Sequence, residues 1–207
     1  TFSSRGLGDV YKRQADERWP RNGEVADMKK PNLKWYDWNK LITAEDREMV
    51  CKDVDQLIKD GKYFTNSPKY QTNINVMGLQ SSHWMKIKMS FVTSCFMYAE
   101  KELKIKNVQS WSYQTSLNYE EPRDNLWHHH QHNKEVQSLS GVYYVHLPEV
   151  LDECGTEFAI DGPEEKARHM EPPRIGQWVI YPSNYWHRPG VLKSKENRYI
   201  VAADLWY

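Results

Sequence analysis

Neither sign of charge is in excess in this 207-residue chain: 28 lysines and arginines meet 28 aspartates and glutamates. With no net field to steer a polyanion or an anionic bilayer, charge gives no support to nucleic acid or a membrane surface as a partner. Cysteine is scarce as well. Cys51, Cys95 and Cys154 are odd in number and far apart, which argues against a disulfide framework and fits a reducing compartment. No run of eighteen apolar residues and no signal-peptide pattern occurs, so the sequence predicts a cytoplasmic protein without a spanning helix. Internal repeats and low-complexity tracts are also missing, which sets repeat architectures aside.

Aromatic residues are abundant, with nine Trp and thirteen Tyr. Such side chains pack and hydrogen-bond at once, which suits a β-rich fold around a polar-lined cavity. The length fits one domain with a full core. Ser4 to Gln14, SRGLGDVYKRQ, reads as the in-frame translation of a sequencing-library adapter, as in a conceptual translation of environmental reads. Residues 1–14 are therefore set aside as a non-native tail, with the natural N-terminus and any targeting segment expected to lie elsewhere.

Residues 15–106 read as an arm followed by supporting helices. Ala15 to Leu41 is polar with Pro20, Pro31, Trp35, Tyr36 and Trp38, an irregular arm expected to pin its aromatics onto the core. Thr43 and Asp46 form a capping-box start, and Met49, Val50, Val54, Leu57 and Ile58 recur at helical spacing until Gly61. Ser81 and Ser82 precede a second helix, roughly His83 to Leu103, whose predicted core stripe is Met85, Met89, Val92, Phe96, Ala99 and Leu103. From residue 107 to 207 short β runs take over: Val108–Tyr113, Gly141–Leu147, Thr156–Ile160, Gln177–Tyr181 and Arg198–Leu205. Helices first and short strands afterwards predict a mainly β fold with supporting α, a sandwich or jelly roll backed by helices on one face.

The chemistry concentrates in WHHHQH, Trp127 to His132. In extended backbone His128, His130 and His132 share one side and His129 takes the other. Two imidazoles at i and i+2 can hold one ion from a single segment, and His187, in YPSNYWHRPG, is a third ligand placed at a strand end. A solvated histidine loop is the plain alternative for the cluster alone. Arg198 opens the apolar strand RYIVAADL, where alternation puts Arg198, Ile200 and Ala202 on one face. A guanidinium on a buried face needs an anion, and its planar fork fits a carboxylate; an ordinary ion pair with Glu196 or Asp204 would also meet that need.

These segments occur in a particular order: HQH at His130–His132, SGVYYV at Ser140–Val145, CGTEF at Cys154–Phe158, PPRIGQWVIYPSNYWH at Pro172–His187 and ENRYIVAADLW at Glu196–Trp206. In that order the chain resembles the Fe(II)- and 2-oxoglutarate-dependent dioxygenases, most of all the prolyl-hydroxylase-like and phage-type oxygenases, over Val108–Tyr207. The resemblance implies a double-stranded β-helix (jelly roll) flanked by N-terminal helices. It implies Fe(II) held by His130, His132 and His187, and Arg198 on the distal carboxylate of 2-oxoglutarate. It implies O2 as co-substrate and hydroxylation of an unactivated carbon with release of succinate and CO2; the prime substrate is not named by the sequence, with a peptide or small molecule favoured. Two positions depart from the family pattern. His-x-His stands where most members have His-x-Asp or His-x-Glu, and Ile200 stands where a Ser or Thr usually follows the basic residue. Tyr113 or Tyr144 is a candidate for the substitute hydroxyl on the carboxylate, with ordinary core packing as the alternative for both; His128, His129 and His146 take supporting roles, and Trp111, Trp127, Tyr185 and Trp186 are expected at the entrance.

Two other functions fit parts of the pattern. A cupin-type metalloprotein without 2-oxoglutarate would use Glu135, one residue short of the usual cupin spacing, and has no need of a buried Arg198. A non-catalytic metal- or carbohydrate-binding jelly roll, such as a viral structural part, would need neither an open ligand position nor 2-oxoglutarate.

Overall fold

The first helix, α1 (Ala44–Lys59), begins where the sequence punctuates it. Thr43 accepts a hydrogen bond from the Asp46 N–H at 3.2 Å, and the Asp46 carboxylate accepts one from the Thr43 N–H at 2.9 Å. That reciprocal box satisfies two of the donors a helix start leaves open. Lys86 of the second helix, α2 (Ser82–Ala99), reaches the same carboxylate at 2.7 Å and ties the helices together. The computed structural model describes residues 30–66, 69–115, 127–131, 136–148, 154–163, 168–192, 194 and 196–207. All elements lie in one unit, Pro31–Tyr207. No helix among the described residues is long and apolar enough to cross a membrane.

The described residues form ten strands, in chain order β1 (Lys34–Asp37), β2 (Tyr63–Asn66), β3 (Lys69–Thr72), β4 (Asn107–Thr115), β5 (Ser138–His146), β6 (Thr156–Ala159), β7 (His169–Glu171), β8 (Gln177–Pro182), β9 (Trp186–Pro189) and β10 (Arg198–Trp206). They form a seven-stranded antiparallel sheet, in the order β1-β8-β5-β10-β4-β3-β2, and a three-stranded sheet, β7-β6-β9. The five expected strands are there, and the mainly β jelly roll with helical support is the observed architecture. Five more were not anticipated. The arm at Trp35–Trp38 is not irregular: Lys34–Asp37 pairs with β8 as an edge strand, Trp35 opposite Val179. Its aromatic pair reads as a pinning arm because four residues are too few to show a period.

Strand parity sorts the core into two. Leu139, Tyr143 and Val145 of β5, with Trp178 and Ile180 of β8, meet Trp84, Ile87 and Phe91 of α2 and Val50 and Val54 of α1. The alternate residues Val142, Tyr144, Val179 and Tyr181 meet Phe158 of the small sheet. The helix face of α2 is a correction to the sequence pattern: Met85 and Met89 are 50% and 60% exposed, and the buried stripe is Trp84, Ile87, Ser90, Phe91, Ser94 and Cys95. Two serines disguise that stripe. Their hydroxyls cap backbone carbonyls one turn back and accept the indole N–H groups of Trp178 (2.8 Å to Ser90) and Trp38 (2.9 Å to Ser94), so polar residues are the ones that fit there.

Candidate metal and co-substrate site

The second face of the large sheet, under the small sheet, holds the predicted site residues. His187 lies on β9, and His128 pairs with it through the backbone: His128 N–H donates to the His187 carbonyl at 3.1 Å and His187 N–H returns the bond at 2.9 Å. Two residues on, the His130 N–H donates to the Ser183 carbonyl at 2.9 Å, which holds the extended segment and keeps His128 and His130 on one side. The three imidazole rings have centroids 4.3 to 5.1 Å apart. One ligand nitrogen from each of His128, His130 and His187 lies within 4.8 Å of the others, close enough to converge on one ion. His130 and His187 are thus brought together as expected, and His128 completes the trio. His132 lies outside the described residues, as does Glu135.

The hydrogen bonds at the back of the rings fix their tautomers. His187 Nδ1 stands 3.0 Å from the Tyr185 carbonyl, which can only accept, so the proton sits on Nδ1 and Nε2 keeps its lone pair. His130 Nδ1 stands 2.7 Å from Asp204 Oδ1, which selects the same tautomer. Backing of this kind is how metal-binding histidines are ordinarily oriented. The donor set therefore fits a first-row divalent cation: three imidazoles converge from two chain segments, and those of His130 and His187 turn Nδ1 to an acceptor and leave Nε2 as the ligating position.

Arg198, Tyr113 and Tyr144 line the same cavity as the three histidines, with Ile200 and Ala202 on the face that alternation assigns. Arg198 is 3% exposed. It donates to the Cys154 carbonyl at 2.8 Å, and its Nε is buried with no hydrogen-bond partner. Among the described residues no carboxylate stands within ion-pair distance of it, so neither Glu196 nor Asp204 plays that part. Burial pulls the guanidinium pKa down from its ordinary value, a cost that a bound carboxylate would offset. Arg188 also lines the cavity, and the contrast is informative: its Nε meets Glu157 at 2.7 Å, so this guanidinium has its anion within the chain.

The cavity that Arg198 and Ile200 line also carries hydroxyls. Tyr144 and Thr156 exchange a hydrogen bond at 2.7 Å, and both line the cavity with Thr115, the cross-strand partner of Arg198. Burial pushes the Tyr144 phenol up to about 12 and raises that of Tyr113, so both remain protonated donors at neutral pH. Thr156 and Asp204 escaped the sequence reading. Thr156 contacts Tyr144 across the two sheets, a relation no local pattern reports; Asp204 lies two residues beyond Ala202 on the face already assigned to Arg198. At the entrance, Trp111 lines an outer cleft with Gln71, Tyr113, His128 and His130. Trp127 does not: it is buried, with Arg188 stacked 4.4 Å from its ring.

No family model and no curated protein matches the chain. Solved structures do. A prolyl-4-hydroxylase from Pseudomonas putida matches at a TM-score of 0.57 and 8% identity, over 85% of this chain and 92% of its own. The prolyl hydroxylase of Trichoplax adhaerens, in complex with a hypoxia inducible factor oxygen degradation domain peptide fragment, matches at 0.57 and 13%, over 98% and 94%. The non-heme alpha ketoglutarate-dependent carbocyclase SnoK from nogalamycin biosynthesis matches at 0.61 and 12%, over 85% and 79%. At such identities the likeness is one of fold: this chain has the jelly roll that these oxygenases share.

Proposed function

We propose that the protein is an Fe(II)- and 2-oxoglutarate-dependent dioxygenase that hydroxylates an unactivated carbon and releases succinate and CO2. The supporting observation is one cavity that holds both halves of such a site: three convergent imidazoles, and a buried arginine whose Nε has no partner. His128, His130 and His187 are the metal ligands in this reading, a register two residues earlier than the motif resemblance implies. Iron bound there would supply the redox chemistry that couples decarboxylation of 2-oxoglutarate to oxidation of a C–H bond. The chain's own contribution is positional. Arg198 would grip the distal carboxylate in a water-poor pocket, with Tyr144 and Thr156 supplying the hydroxyl that Ile200 cannot. Tyr181 and Phe158 pack their rings beside His187, with centroids 5.1 and 6.1 Å away, and would keep water from that side of the site. The cleft at Gln71 and Trp111 would admit the prime substrate, a peptide or a small molecule, to the side of the centre formed by His128 and His130.

Anaerobic addition of Fe(II) and 2-oxoglutarate should give the weak visible charge-transfer band of the chelate, and O2 should then yield succinate. A folded, iron-loaded sample with neither band nor succinate rejects the proposal. His128→Ala, His130→Ala and His187→Ala should each lose iron, while His132→Ala retains it; the opposite behaviour of the His128 and His132 variants would restore the later register.

A further inference from the structure

Asp204 is 1% exposed at the end of β10, with no lysine or arginine within ion-pair distance among the described residues. Its Oδ1 accepts from the Ser140 hydroxyl at 2.6 Å and stands 2.7 Å from His130 Nδ1. Ser140 in turn lies 2.8 Å from the Ser183 hydroxyl; since the single Ser140 proton goes to the carboxylate, Ser183 donates in that contact. Ser183 closes the ring through its carbonyl, which accepts the His130 backbone N–H. Two strands of the large sheet, β10 and β5, the residue that follows β8 and the histidine segment are therefore linked around one carboxylate, and Ser140 and Ser183 are themselves buried.

A buried carboxylate with hydroxyl donors but no cation is expensive unless positive charge lies nearby. A cation on the far nitrogen of the same imidazole would supply it. We propose that Asp204 is the positioning residue of the metal centre. Through the Nδ1–H of His130 it fixes the ring's tautomer, and it places, one imidazole away from the ion, the negative charge that a His-x-His motif withholds. The two orientable ligands are then unequal: His130 is backed by a carboxylate and His187 by a neutral carbonyl, so negative charge stands behind one ligand only. This inference rests on the metal site proposed above.

Asp204→Asn in the full chain keeps the shape and an acceptor oxygen while removing the charge. Its affinity for Co(II), read from the d–d bands in competition with a chelator, should fall by about 10- to 100-fold. The thermal midpoint of the metal-free protein should stay near that of the parent. In 15N-histidine-labelled protein the His130 Nδ1–H resonance should move upfield as a charged acceptor becomes a neutral one. Ser140→Ala keeps the carboxylate and should weaken Co(II) binding much less than Asp204→Asn does. Parental Co(II) affinity in Asp204→Asn, or equal losses in both variants, would overturn the role of Asp204 while leaving the centre intact. Undiminished Co(II) binding in His128→Ala and His187→Ala would overturn the centre itself.

Discussion

The two faces of β10 do opposite things with the residues they bury. Tyr199, Val201, Ala203 and Leu205 point into the helix-side core, whose neighbours are Phe91, Ile87 and Trp84. Arg198, Ile200, Ala202 and Asp204 share the other face, and its two charged members are 3% and 1% exposed. Six residues at ~3.3 Å rise put them roughly 20 Å apart, too far to neutralise each other. The helix face is apolar surface removed from water, with the indole N–H groups of half-buried Trp38 and buried Trp178 each finding a serine. The site face carries charge that folding alone does not compensate. One strand can therefore stabilise the domain with its odd residues and reserve its even ones for ligands.

The difference is tested first where burial does the most. Phe91 is fully buried, with its ring 4.8 Å from that of Trp178. Phe91→Ala should lower the free energy of unfolding by about 3–5 kcal/mol in urea titrations. The fraction still folded should bind Co(II) as the parent does; a parallel fall in affinity would mean that the faces are coupled. Arg198→Met is the reciprocal change. It fills a similar volume without charge, so the thermal midpoint should hold or rise. The concentration of 2-oxoglutarate needed for the visible band should climb about 100-fold, the worth of charge-assisted bonds of some 3 kcal/mol, with metal affinity unchanged. A destabilised Arg198→Met protein with an ordinary requirement for 2-oxoglutarate would assign the arginine to the scaffold.

The same parity explains what could be read from residues alone. β5, β8 and β10 are buried runs long enough to show themselves, and alternation along RYIVAADL is enough to place Arg198 on the cavity face. Asp204 was reachable by counting one period further, but as a nearby acid it invites pairing with Arg198 until the distance along a strand is considered. The register proposed for the histidines does not follow from alternation. Alternation treats His128, His130 and His132 alike, and what favours the earlier register is a long-range fact, the backbone pairing of His128 with His187. The buried stripe of α2 was hidden because serines occupy it, serving indoles that arrive from residues 56 and 88 positions away.

The finest division of labour on the site face is at Thr156, whose hydroxyl lies 2.7 Å from that of Tyr144 and whose strand faces the large sheet. Thr156→Val keeps the β-branched shape that a strand favours and deletes one hydroxyl. Stability should change by no more than about 1 kcal/mol, because the Tyr144 phenol loses a single neutral partner. If the pair addresses the carboxylate together with Arg198, the 2-oxoglutarate requirement should still rise, by about tenfold, the equivalent of 1.4 kcal/mol. If it rises no further than the stability loss accounts for, the pair belongs with the packing residues, and Arg198 alone faces the co-substrate.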